Sequence, residues 1–572
     1  MQDHKPKQPV WLITTLVACL LGLLATQTIV SMRKKSVTVD EIIYILAGYY
    51  HLTTGDFYMN MTNPPLMKIV SGLPLLILNL ELPAFTKKPK DLTIVEQWQY
   101  ARDFLYHNKV DADAVLFLAR LPIVMISVIL GIFVFLFSKE LYGENAGLFA
   151  LFLYSFCPNI LAHSQLATHD LGLTAFMFIS AYYFWRYMTC PKVKFLTLCG
   201  IFLGLAMLTK TTALFLIPIY LTYALLCLLK NNGLGIYEKF PLVGRFKQSQ
   251  LRLRQLMALA SFFLALSSVS LLVLNIGYGF QGSFEPIPLP DPYIKLLQFQ
   301  SQLQSNSGGV YFAGEIYHPG LWYLMIVTFL IKTPIPPLIL LLISTIYMIN
   351  NRKTLEAEWL MVVFISCIIG IFSYFSNINN GLRYILPIYP FIFVIISRLF
   401  YVGFLHYKPA KWLLATLSCW YFAGATLIHP HYLAYFNEFI GGPTNGYKYL
   451  SDSNLDWGQD LKTLKHYMEQ KDIKRIKLAY FGSADASYYG IDYDYLPSVG
   501  LAPTKPGQYW WYEIDTDAKR YLEPQSGIIA VSATILASPQ WLREKFHRSY
   551  TWLKKYEPVD KVGYSILIYH IP

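Results

Sequence analysis

Apolar runs about twenty residues long recur from near the amino terminus to about position 430, and they constrain this chain more than any other feature. A helix needs ~20 apolar residues to cross the hydrocarbon core, where the backbone finds no hydrogen-bond partner but itself. By run length about eleven segments qualify. The first runs from about Val10 to Val30. The others lie near 114–138, 146–160, 168–188, 194–209, 211–229, 256–277, 320–349, 358–376, 383–403 and 411–429. The first shows no clear small-x-small cleavage site and reads as a retained anchor rather than a signal peptide. Composition agrees: 14% of the 572 residues are charged, against roughly 25% in soluble domains. The expected architecture is an all-α polytopic membrane bundle of about eleven transmembrane helices over 1–429. A small α/β extramembrane domain follows over 430–572. There Asp456 is placed to cap a helix through Leu461, Leu464 and Tyr467, while Ile476 to Phe481, Gly527 to Ser532 and Tyr564 to Tyr569 read as strands.

The formal net charge of +12 fits loops facing anionic lipid and pockets for phosphate. No nucleic-acid motif accompanies it. All 7 cysteines fall in or beside apolar segments, which excludes a disulfide framework or a Cys-based zinc site in the hydrophilic stretches. Basic residues in short loops set the orientation. Lys5 and Lys7, Arg186 with Lys192 and Lys194, the cluster Lys230 to Arg254, Arg352 with Lys353, and Lys408 with Lys411 all share one parity. They place the amino terminus in the cytoplasm, and the loops 31–113 and 278–320 and the carboxy-terminal domain outside. One cluster disagrees: Arg33, Lys34 and Lys35 sit just beyond the first span, on the outer side.

Ionisable groups at the edges of apolar segments are costly and usually have a task. Asp40-Glu41 opens an apolar run that suggests a helix along the interface; a carboxylate there suits a general base. Thr38 and Glu41 equally fit a helix-capping box. In Asn63-Pro64-Pro65-Leu66-Met67-Lys68 the prolines stiffen a turn and start a helix, and Lys68 either holds a phosphate or snorkels. His169-Asp170 sits in a short outer turn, as a site acid or a helix cap. Lys210, in Leu208-Thr209-Lys210-Thr211, is a basic break between two spans. Arg383-Tyr384 follows Asn380-Gly381-Leu382, where an arginine suits bidentate phosphate binding or a headgroup anchor. Lys332, among Thr333-Pro334 and Pro336-Pro337, either lines a polar cavity inside a span or snorkels, and His318 stands at the outer start of that segment. Asp452, Asn454 and Asp456 imitate the start of an EF-hand, but Trp457 and Thr463 occupy its obligatory glycine and glutamate positions.

In order and spacing these features resemble the GT-C fold glycosyltransferases that use polyprenyl-phosphate sugars, nearest in pattern to the protein O-mannosyltransferase and lipid A aminoarabinose transferase families. The resemblance covers about Val10 to Leu427. It implies a membrane enzyme that moves a sugar from a polyprenyl-phosphate carrier to an acceptor hydroxyl on the external face. Displacement would be single and inverting, in a bacterial inner membrane. Asp40 would be the base and Glu41 its companion. Asp170, with His169, would shape the donor–acceptor site. Lys68, Lys210 and Arg383, with Asn63, His318 and Tyr384 beside them, would bind substrate. Related enzymes often carry His or Lys where this chain has Asn63. The implied partners are the lipid-linked sugar, membrane lipid, and a lipid, glycan or protein acceptor. No cofactor is required, and a divalent ion shared by Asp40, Glu41 and Asp170 stays open. The competing reading is a multi-pass transporter or lipid flippase, for which Lys332 is the supporting residue.

Overall fold

The computed structural model describes residues 9–229, 251–285, 287–305, 309–317, 320–350, 356–375, 381–496, 499–500, 524–537 and 550–572. His318, Asn380, the amino-terminal lysines Lys5 and Lys7, most of the basic cluster after Leu229, and Arg352 with Lys353 lie outside them.

The chain opens with α1 (Val10–Arg33), followed by α2 (Glu41–Thr54), α3 (Leu66–Gly72), α4 (Ile94–Tyr106) and α5 (Ala112–Tyr142). Next come α6 (Glu144–Ser155), α7 (Pro158–Ser164), α8 (Asp170–Thr189), α9 (Val193–Met207) and α10 (Leu216–Leu229). Among the described residues four helices are long and apolar enough to cross a membrane: α1, α5, Leu256–Gly277 and Glu356–Tyr374. Two further pairs qualify if each bent pair is one span: α6 with α7, bent by 64°, and Leu324–Lys332 with Ile335–Asn350, bent by 114°. This makes an integral membrane protein with four to six spans by that measure, fewer than the runs suggested. Several expected spans are shorter apolar helices, including Val193–Met207 and Ile388–Phe400. Val193–Met207 ends at the turn 208–210, and Ile388–Phe400 begins only after Pro387.

The stretch after Asp40 departs from expectation in its surroundings. Rather than lying along the interface, α2 is enclosed, with Glu41 to His51 all buried. A helix that is apolar on every face is stable only when covered on every face. Its close contact with α3 depends on glycine: a Cβ on Gly48 would stand 1.9 Å from the Lys68 carbonyl oxygen. That crossing draws the Pro64-Pro65 turn against the start of α2.

The carboxy-terminal part carries a five-stranded sheet. Its strands are β1 (Ile476–Ala479), β2 (Tyr493–Tyr495), β3 (Gly527–Ser532), β4 (Asp560–Val562) and β5 (Ile566–Ile571), in the order β2-β1-β3-β5-β4. The first three run parallel, while β5 pairs antiparallel with both β3 and β4. The helix expected after Asp456 is present as Leu461–Gln470, burying Leu461, Leu464 and Met468. Its N-cap position is Asp460, however, and Asp456 turns away to accept the Thr534 N–H at 2.9 Å.

This part joins the membrane helices through the segment that follows α1. The Ser36 N–H donates to the Gln459 carbonyl at 3.0 Å and the Val39 N–H to that of Trp457 at 2.9 Å. Lys35 is buried in an ion pair with Asp460 at 2.5 Å and also donates to His431 Nδ1 at 2.6 Å. The basic cluster that contradicted the loop rule is thereby explained in part: Lys35 is a buried partner of Asp460, and Arg33 lies over the Phe117 ring at 4.9 Å. Burial acts to raise the Asp460 carboxyl, but the Lys35 charge and the His431 contact outweigh it and hold it below the usual carboxylate range.

Candidate functional site

Four distant parts of the chain meet above the start of α2. Asp40 is the N-cap residue of α2 but makes no side-chain cap bond. Its carboxylate instead accepts a hydrogen bond from Arg383 Nη1 at 3.2 Å. Asp170 opens α8 and accepts from Lys210 Nζ at 2.9 Å. Lys210 stands in the break after α9, where the helix ladder has ended and the side chain is free to turn inward; its ammonium lies 4.0 Å from the centre of the Tyr384 ring. Arg383 lies in the short helix Leu382–Ile385, over the Trp457 ring at 4.7 Å, and also feels the charge of Asp170.

The adjacent acids differ sharply. Asp40 keeps 25% side-chain exposure and Glu41 keeps none. Glu41 receives Arg120 Nε at 2.8 Å and Nη2 at 2.6 Å, the Thr38 N–H and hydroxyl at 2.9 Å each, and the Ala167 N–H at 2.7 Å. Burial pushes its carboxyl up, but the Arg120 guanidinium and the N–H donors outweigh this and its pKa is lowered. The Thr38–Glu41 contact of the capping reading is therefore present, embedded in a larger buried ion pair. Arg120 was not singled out in the sequence because it sits in an apolar run with nothing nearby in sequence to mark its partner.

Other expected members gather around this centre in different roles. Asn63 Nδ2 donates to the Tyr44 hydroxyl at 3.0 Å. His169 packs edge-on against Tyr44 with ring centroids 4.4 Å apart, and its Nε2 is buried without a hydrogen-bond partner. Lys68 is buried and spends its ammonium on the carbonyls of Asn60 and Asn63, the latter at 2.7 Å. Lys332 donates to the carbonyls of Leu433 at 2.9 Å and Asn454 at 2.6 Å. It thus ties the membrane part to residues 433–454, which removes the support it lent to the transporter reading. Glu41 is committed to Arg120, so it does not stand ready to share an ion with Asp40 and Asp170. Among the described residues no group of three or more His, Cys, Asp or Glu side chains is placed to hold a metal.

Sequence reasoning missed the contribution of the loop 451–460. Asn454 Oδ1 accepts the Leu382 N–H at 2.9 Å. Gly381, at φ +54°, leaves no room for a side chain, since a Cβ there would stand 1.9 Å from Asn454 Oδ1. Trp457 supplies the ring beneath Arg383. Asp452 lies within electrostatic reach of both Arg383 and Asp40. Burial, with the charge of Asp40 adding, pushes its carboxyl up to about 6 against the opposing pull of Arg383. The sequence signals in this loop were a helix cap at Asp456 and a failed likeness to a calcium-binding loop, and neither pointed to Arg383.

A family model described as dolichyl-phosphate-mannose-protein mannosyltransferase matches residues 112–234, a stretch that contains both Asp170 and Lys210. No curated protein matches significantly. Among solved structures, the chain is similar to ArnT from Cupriavidus metallidurans bound to undecaprenyl phosphate. That match has 10% identity and a TM-score of 0.44, over 97% of this chain and 98% of that one. It is also similar to the Archaeoglobus fulgidus oligosaccharyltransferase in its apo form, at 13% identity and a TM-score of 0.43, over 95% of this chain and 65% of that one. The family resemblance read from the ordered motifs thus meets a family-model match of the same kind over 112–234.

Proposed function

We propose that this protein is a membrane glycosyltransferase that takes a sugar from a polyprenyl-phosphate carrier and places it on an acceptor hydroxyl at the external face of the membrane. The observation that carries the reading is the convergence of Asp40, Asp170, Lys210 and Arg383. They come from four separate segments and meet as two carboxylate–cation pairs next to buried apolar helices. The family match over 112–234 supports the same chemistry.

Each residue has a task that its surroundings suit. Asp40 is the acid of the pair that solvent and an acceptor can reach, so it serves as the base. It takes the acceptor proton as the new bond forms between the acceptor oxygen and the anomeric carbon. The bond from that carbon to the phosphate oxygen breaks, and its electron pair leaves with the carrier phosphate. Lys210 and Arg383 receive the growing negative charge; groups set in place beforehand do this best in a water-poor site. One base and no nucleophile gives inversion through an oxocarbenium-like transition state. Glu41 positions Asp40 through Arg120 and Thr38. Lys68 holds the Asn60 to Asn63 turn against Tyr44 and leaves the phosphate to the other two cations.

Transfer of a radiolabelled sugar from polyprenyl-phosphate sugar in reconstituted membranes tests this. Asp40→Asn is expected to lower the rate by about 100-fold, the loss typical of removing a general base. Transfer at the wild-type rate by that variant would move the base elsewhere, and no transfer by wild type from any donor tested would end the transferase reading.

A further inference from the structure

Three carboxylates lie within electrostatic reach of Arg383. Asp40 and Asp170 belong to the membrane part, and the third, Asp452, arrives from the carboxy-terminal part. Asp452 is partly buried and held firmly, its carboxylate accepting the Ser453 N–H. Its backbone sits at φ +57°, its N–H donates to Thr534 Oγ1 at 3.0 Å, and its carbonyl accepts the N–H groups of Leu455 and Asp456 at 2.9 Å each. On either side of it the loop is fastened to the site. Asn454 caps the Leu382 N–H, Lys332 donates to the Asn454 carbonyl, and Trp457 underlies the guanidinium. Asp452 therefore cannot swing away from Arg383 without undoing contacts that hold Arg383 itself.

A fixed carboxylate is a poor neighbour for a guanidinium whose task is to grip phosphate, because it competes for the same positive charge. Transfer gives that competition a use. In the donor the phosphate is a diester with one negative charge; in the spent carrier it is a monoester with roughly 1.5 to 2 negative charges near pH 7. Lys210 and Arg383 therefore hold the product more tightly than the substrate, and slow product release limits turnover in many enzymes. We propose that Asp452 is a release residue of this active site: a third carboxylate that competes with the carrier phosphate for Arg383 and keeps the spent carrier from being retained. The proposal rests on the transferase reading and assigns part of the site to the carboxy-terminal domain.

Its sign differs from that of a merely structural residue. Equilibrium binding of undecaprenyl phosphate to the full-length protein in nanodiscs, compared for wild type, Asp452→Asn and Asp452→Glu, provides the test. Asparagine tolerates the left-handed backbone at least as well as aspartate. Removing one charge near Arg383 at a partly buried position is expected to tighten binding roughly tenfold. Asp452→Glu, which restores the charge, should return affinity toward the wild-type value. In parallel, Asp452→Asn should slow steady-state turnover while a single turnover proceeds at the wild-type rate. Unchanged or weaker binding by Asp452→Asn, with wild type binding normally, overturns the release role and leaves the transferase reading standing. Failure of wild type itself to bind the lipid phosphate overturns both.

Discussion

At position 41 the chain holds a carboxylate with no solvent around it, and at position 40 one that keeps a quarter of its side-chain surface. The two neighbours in sequence therefore divide their work. Breaking a buried ion pair by neutralising one partner strands the other charge, at a cost of about 3–5 kcal/mol. Glu41→Gln should accordingly lower the unfolding temperature of the protein in detergent strongly. Transfer per folded molecule should stay within about tenfold of wild type, because Asp40 remains to accept the proton. A variant that melts like wild type but transfers no sugar would give Glu41 the catalytic role instead. The acids and cations of the centre were legible in the sequence, since a charge at the rim of an apolar run stands out. How each charge is spent was not. Lys68 and Lys332 satisfy backbone carbonyls, and carbonyls carry no signature in the side-chain sequence.

Among the elements, the loop 451–460 shows most clearly how tertiary contact overrides local pattern. Its Asp456 reads as a helix cap and its Asp452 as a failed metal loop, yet one binds Thr534 and the other lies within electrostatic reach of Arg383. Their partners lie about seventy to eighty residues away, beyond the reach of any local motif. Gly381 is the counterpart of this loop in the membrane part. Its φ of +54° favours glycine, and a Cβ there would collide with Asn454. The backbone strain of a non-glycine residue alone costs about 1–3 kcal/mol, and the collision adds to it. Gly381→Ala should therefore raise the donor KM and lower the melting temperature together, because Asn454 and Arg383 can no longer hold their places. Wild-type kinetics for Gly381→Ala would show that this contact does not set the geometry of Arg383. The strands, by contrast, were readable from β-branched and aromatic runs, and Gly527–Ser532 lies where that pattern placed it.

For the whole molecule, the membrane part and the sheet-bearing part are joined through buried polar contacts more than through a flexible linker. Lys35 and Asp460 form the centre of that joint, with Ser565 Oγ donating to Asp460 at 2.7 Å. Sequence reading separated the two parts at 429–430 and saw Lys35 only as a loop charge, because a pair separated by 425 positions leaves no trace in either neighbourhood. The folded state holds the Asp460 carboxyl below its ordinary value, so it binds fewer protons there than in the unfolded chain. Its stabilising share is present above the unfolded pKa of about 3.9 and is lost as pH falls toward the depressed folded value. Asp460→Asn should melt well below wild type at pH 7, with the gap narrowing toward pH 3. A gap independent of pH would mean that packing, and not charge, makes the joint.

The pairing of Ser36 and Val39 with Gln459 and Trp457 has a consequence for how the protein is made. The residues flanking Asp40 finish their hydrogen bonding only with chain synthesised more than four hundred positions later. Ser565, which completes the surroundings of Asp460, comes later still, and the neighbouring strand β5 lies inside the sheet between β3 and β4. A nascent chain on the ribosome can insert its helices and even place Asp170 beside Lys210, yet it cannot assemble the centre. The contacts that flank Asp40 are therefore completed only once the carboxy-terminal part has been made.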